Sequence, residues 1–208
     1  EDGDDAYYWP FMIAGLAGSM ELTDEQAAKL REHLLRGGFL FCDSFFGEDS
    51  YQIFMESMKR VFPDRPVFDM SDDHPIFHII YDLPEMTKVA IPHVSEAFGR
   101  GRMRRGPPRW QGIEDDDGRL MVLIAYNNDV QDAWQWADDP RYPSDLVNLA
   151  LRLGVNVPMY AMTHCSRGGA EPPPRAESES ASELRDFPCF DQDVFRLARD
   201  LHSDLADG

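Results

Sequence analysis

Apolar positions follow two patterns along the chain, and the switches between them predict alternating helices and strands. Ala27, Leu30, Leu34 and Leu35 recur at helical spacing. Thr23 with Gln26 three residues on is a capping-box pattern, and Asp24 and Glu25 complement the positive end of a helix dipole. Gly37 and Gly38 end that helix, because glycine tolerates the left-handed C-cap conformation. The next four residues, Phe39 to Cys42, are all apolar, as is the run LMVLIAY at 120–126. Runs of this kind fit strands buried on both faces of a helix-covered parallel sheet. Residues 7–15 (YYWPFMIAG) read as a further buried strand running into a glycine-rich loop.

The remaining segments are read in the same way. A second helix is predicted over 49–61, with Ile53, Phe54, Met58 and Val61 inward and Pro63 stopping it. Residues 66–70 read as a strand, and the polar turn SDDHP leads to the apolar stretch 76–81. Residues 84–111 are broken by prolines and glycines and show no regular element. The turn signal Asp116-Asp117-Gly118 precedes the 120–126 strand. Ser144 is placed to cap a last helix with Leu146, Ala150, Leu153, Val157, Tyr160 and His164 at helical period. Pro158 lies inside that pattern, so a strand over 155–162 is the alternative.

This alternation predicts an α/β fold, a three-layer sandwich around a mostly parallel sheet, over residues 1–164. Residues 165–208 form a tail, with a Pro/Ser/Glu-rich linker and then a helix whose narrow stripe is Val194, Ala198, Leu201 and Leu205. The stripe suits docking onto this domain or onto a partner. Cys165 and Cys189 bracket the linker, and in an exported protein they would form a disulfide worth about 3 kcal/mol.

Composition narrows the classes of function. The 208 residues are 43% hydrophobic and 12% aromatic, enough for one substantial core. A net charge of −18 argues against nucleic acid, which needs a basic footprint, and against unaided binding to anionic lipid. No apolar run reaches the roughly 20 residues that span a bilayer. Three cysteines without CxxC spacing make neither a disulfide scaffold nor a zinc site. Against this acidity, Arg100, Arg102, Arg104, Arg105 and Arg109 crowd into ten positions. That cluster reads either as a surface loop lying on the domain's own carboxylates or as a docking loop for an acidic partner or lipid head group.

Four blocks, LREHLLRGGFLFCDSFFG, KRVFPDRPVFDMSDDHPIFHIIYDL, DDDGRLMVLIAYNNDVQDAWQWADD and RLGVNVPMYAMTH, together resemble domain-of-unknown-function family 4159. The resemblance covers residues 8–164. It implies kinship with the class I glutamine amidotransferase-like, flavodoxin-like α/β fold, in bacterial proteins that often carry export signals, and it implies no activity. An exported, periplasmic or membrane-peripheral location follows as an expectation, with the cytoplasm as the alternative. Members usually have a further N-terminal strand. They also carry a DDFHG-like ending where this chain has Asp43-Ser44-Phe45-Phe46-Gly47, so a second aspartate and a histidine are replaced.

Open α/β sheets place ligands at the carboxyl ends of their strands, which puts Asp43, Ser44 and Asp129 forward. Cys42 lacks the small neighbours of a nucleophile elbow, and the adjacent Asp43 would raise its pKa, so it reads as a core thiol. His74, His78 and His164 with Asp43 and Asp129 make a candidate ligand site, His74 and His78 being four apart as on one helical face. In the structural alternative His74 caps, His78 packs and the aspartates bind backbone amides. Asp129, Asp132, Trp134 and Trp136 could form a carbohydrate surface, against core packing of Trp134. The reading reached is a non-catalytic structural or docking subunit of a larger envelope-associated assembly, needing no cofactor or metal and partnered by other proteins. The alternative is a hydrolase or a metal- or carbohydrate-binding domain.

Overall fold

A computed structural model describes residues 10–103 and 106–164. Five strands form one mixed sheet in the order β1-β2-β5-β4-β3. They are β1 (Phe11–Ala14), β2 (Phe39–Phe45), β3 (Phe68–Asp69), β4 (Arg109–Glu114) and β5 (Leu120–Tyr126). β1, β2 and β5 run parallel, whereas β4 pairs antiparallel with β5, and β3 antiparallel with β4. The helices are α1 (Asp24–Leu35), α2 (Glu48–Val61), α3 (Val94–Ala97), α4 (Val130–Gln135) and α5 (Ser144–Thr163).

β2 and β5 are buried at every position, so their apolar runs serve two cores. Phe39 and Phe41 point into one with Leu123, Ala125 and the inner residues of α4 and α5. Leu40, Cys42, Ile124 and Tyr126 point into the other, against α1 and α2. The capping box forms as the sequence predicts: Gln26 N donates to Thr23 Oγ1 and Thr23 N to Gln26 Oε1. Gly37 takes a left-handed φ of 114° and turns the chain into β2.

Several expectations change. β1 has four residues and is only partly buried, with Ile13 41% exposed, because it pairs on one side alone among the described residues. In α2 it is Tyr51, Phe54, Ser57, Met58 and Val61 that face inward, and Ile53 lies outside. β4 begins at Arg109, inside the 84–111 stretch read as irregular, and the apolar stretch 76–81 gives only the end of a 3-10 turn over Pro75–Phe77. α5 runs unbroken through Pro158. Four residues earlier stands Gly154, where a Cβ would come within 3.0 Å of the Trp134 ring, so helix and ring approach closely. The tail, with Cys165, Cys189, Val194, Ala198, Leu201 and Leu205, lies outside the described residues, as do Arg104 and Arg105.

Candidate functional site

The candidate residues divide between the two ends of the sheet. At the carboxyl ends of β2 and β5, Asp43, Ser44 and Asp129 come together. Ser44 sits in an irregularity of the β2–β5 ladder and has φ 59°, which swings its hydroxyl out of the strand. Asn127, just past β5, has φ 56°, and its side chain joins Gly47 N, before α2, to Pro107 O, before β4.

Ser44 Oγ donates to Asp129 Oδ1 at 2.7 Å and lies 3.4 Å from Asp43 Oδ2. Asp129 caps α4 by accepting from Asp132 N, and Gln131 N donates to Asp43 Oδ2 at 2.9 Å. Asp43 is 0% exposed, and its Oδ1 has no hydrogen-bond partner. Burial, then the neighbouring Asp129, push the Asp43 carboxyl up to about 7, against the lowering effect of backbone amides. Burial also raises Asp129, although the Ser44 hydroxyl opposes it. An uncompensated buried carboxylate costs several kcal/mol, whereas holding a proton costs about 1.4 kcal/mol per pH unit above the ordinary value. At neutral pH the two costs are comparable, so Asp43 is poised to keep its proton.

Cys42 is fully buried on the α1–α2 face, and burial followed by Asp43 pushes its thiol far up. A thiol held protonated there is no nucleophile.

None of the three predicted histidines joins this cluster. Tyr160 Oη accepts from Leu120 N at the start of β5. Seven residues of strand, about 20 Å, separate that point from the Asp129 end. His164 stacks on Tyr160 with ring centroids 4.0 Å apart, and His74 lies 5.8 Å from the same ring. His74 and His78 flank a 3-10 turn, so they do not share an α-helical face as the spacing suggested. His74 Nδ1 accepts from Ile76 N, capping the turn, while His78 is held outside by Asp82 and Asp72 O. Burial, then His164, lower His74 to about 4.

The histidine near the carboxylates is His93, which the sequence reading did not single out. His93, Asp129 and Asp132 offer ligand atoms within 4.8 Å of one another. The ring is turned wrongly for a cation. His93 Nδ1 accepts from Ser95 N, so the neutral imidazole carries its proton on Nε2, the atom 3.8 Å from Asp132 Oδ2. A metal on Nε2 would need that proton on Nδ1, facing the Ser95 N–H. Asp132 Oδ2 also already accepts from Val94 N.

The two tryptophans weighed for a carbohydrate surface are both partly buried. Trp134 packs against Phe41 and donates Nε1–H to Ala150 O, and Trp136 meets Phe98 edge-on. Of the arginine cluster, Arg100, Arg102 and Arg109 are described and exposed. Arg102 approaches Glu96 at 3.7 Å, Arg100 lies over Phe98, and Arg109 lies over Tyr51 and Tyr126. Only one of the three thus meets a carboxylate in these contacts, and two rest on rings.

A family model described as Domain of unknown function (DUF4159) matches residues 2–162. The chain belongs to the DUF4159 family. No curated protein matches it. The match covers every strand and helix described above except the last residue of α5, and carries no assigned chemistry to the Asp43–Asp129 cluster. Within this DUF4159 domain, no described helix is long and apolar enough to cross a membrane.

Proposed function

We propose that this domain is a non-catalytic structural or docking subunit of a larger, envelope-associated bacterial assembly, built on a flavodoxin-like, amidotransferase-like sandwich. One observation carries the reading. The crevice at the carboxyl ends of the strands, where a working α/β domain receives its ligand, is filled by the chain itself. Asp43 is 0% exposed and bound to the start of α4, Asp129 is spent on Ser44 and the α4 cap, and Cys42 faces the core. Arg100, Arg102 and Arg109 stand exposed on an otherwise acidic chain, and they suit an acidic protein surface.

The test is purification from native membranes with and without Arg100→Glu, Arg102→Glu and Arg109→Glu together. A stoichiometric companion lost in the variant, with the melting temperature unchanged, supports docking. A clean monomer carrying stoichiometric zinc counts against it.

A second reading rests on Ser44, whose left-handed backbone at a strand–helix turn presents a hydroxyl to Asp129 in the manner of a hydrolase nucleophile and its base. Covalent labelling of Ser44 by a fluorophosphonate, abolished in Asp129→Asn, would favour that hydrolase over the subunit.

A further inference from the structure

The strand-end cluster has one hydroxyl hydrogen to place between two buried carboxyls. Ser44 has one hydroxyl hydrogen, and the 2.7 Å distance commits it to Asp129 Oδ1. The same oxygen lies 3.4 Å from Asp43 Oδ2, so with both carboxyls ionised a serine lone pair would face a carboxylate oxygen. Asp43 Oδ1 meanwhile has no partner, in a residue that is 0% exposed.

A proton on Asp43 Oδ2 relieves the conflict: it faces Ser44 Oγ across 3.4 Å, Oδ2 keeps the Gln131 amide, and Ser44 donates to Asp129. We propose that Asp43 and Asp129 hold one proton between them through Ser44, as a pH-sensitive latch joining the ends of β2 and β5 to α4 and to residues 89–98. The proton leaves by two linked transfers, Asp43 to Ser44 and Ser44 to Asp129, after which Asp129 passes it to water beside the partly exposed Asp132. Two carboxylates then face one hydroxyl, and the latch loosens.

Among the described residues no cation pairs with Asp43, and only backbone amides, that of Gln131 first, oppose its burial. On β2 the neighbour is Cys42, itself kept neutral. Past β5 and on α4 stand Asp129 and Asp132, both acidic, and ahead of α3 stands His93, 3.8 Å from Asp132. From the α2 and β4 side come Glu48, Tyr51 and Arg109, grouped around Tyr126. Among the described residues, the β1 side offers Gly15 against the Gln131 amide. Residues 89–98 hang from the same latch: Asp129 N donates to Ile91 O, Ile91 N to Asn128 Oδ1 and Val94 N to Asp132 Oδ2. Arg100 and Arg102 follow directly. The proposal stands whether or not those arginines dock a partner.

The sign of the effect is fixed. Asp43 is raised from 3.8 to about 7 on folding, so its contribution to stability is full below about pH 4 and is lost as pH rises to about 7. Two measurements on the 208-residue chain test this. Carboxyl-carbon NMR of the wild type needs no variant: two aspartate signals titrating together well above the ordinary range are expected, and all aspartates titrating near the ordinary value would overturn the proposal. Melting curves of wild type and Asp43→Asn between about pH 4.5 and about pH 8.5 should diverge, the wild type losing several degrees relative to the variant until about pH 7. Amide exchange across residues 89–98 should quicken over the same range in the wild type only. Parallel melting curves would sink the latch.

Discussion

The two ends of the sheet handle buried polarity in opposite ways. At the starts of β2 and β5, Arg119 is 7% exposed and fully engaged, with Nε on Asp115 Oδ2, Nη1 on Gly38 O and Nη2 on Leu34 O. The charge is thereby neutralised, and one carbonyl at the end of α1 and one just before β2 gain a donor. Burial alone would raise Asp115, but Arg119 and the backbone amides hold it below the usual range. At the other end Asp43 and Asp129 are buried with a serine between them and, among the described residues, no cation on Asp43. The first arrangement is a lock, the second a device that works only in one protonation state. Burial of charge is therefore no sign of function until the partner is counted.

The ends also oppose each other in pH response. His74, lowered from 6.5 to about 4, contributes stability that is present above about pH 6.5 and lost as pH falls towards 4. Asp43 contributes the reverse across nearly the same window. In the wild type these slopes offset one another.

The largest way to break the contrast is Arg119→Ala, which removes the cation from buried Asp115 and one donor each from Leu34 O and Gly38 O, and should cost about 3–5 kcal/mol in urea unfolding. A cost below about 1 kcal/mol would mean the lock is no tighter than a surface pair. Next comes His74→Asn, which keeps a cap for Ile76 N but cannot titrate. Its removal should take away part of that opposing slope, so that stability near pH 7 falls relative to pH 4 by up to about 2 kcal/mol more than in wild type. A variant with the wild-type pH profile would show that His74 does not balance the other end. Smallest is Ser44→Ala, which removes the 2.7 Å bond to Asp129 and should cost about 1–2 kcal/mol by chemical denaturation. No loss there would show that the bridge carries no weight.

The legible parts of the fold were those whose local chemistry and tertiary role agree. The Thr23–Gln26 cap, the glycine turn and the runs in β2 and β5 state their roles within a few residues. β4 did not, because its sequence, RWQGIE, places a polar side chain in the sheet's interior: Gln111 is buried, with Asp69 and Tyr51 as partners from β3 and α2. Ile53 was misassigned because helical spacing admits it, and only the packing of Tyr51 and Ser57 shows which way α2 is rolled. For the site, Asp43, Ser44 and Asp129 followed from strand ends, a local property. Which histidine accompanies them did not, since His74, His93 and His164 all sit beside loop or helix ends. His93 left one signal, its place before Val94-Ser95-Glu96 as a helix cap, and that signal spoke for capping rather than for a ligand.

The Ser44–Asp129 contact joins residues 85 positions apart, and the β2–β5 ladder beneath it spans a similar stretch. The β4–β5 hairpin and the β1–α1–β2 unit can each form from neighbours in sequence, but the two halves meet only after that long loop closes. The proton-sharing cluster thus cannot exist in either half alone. Its elevated carboxyl titration would be among the last native signals to appear during refolding, making it an internal clock for completed assembly of the domain.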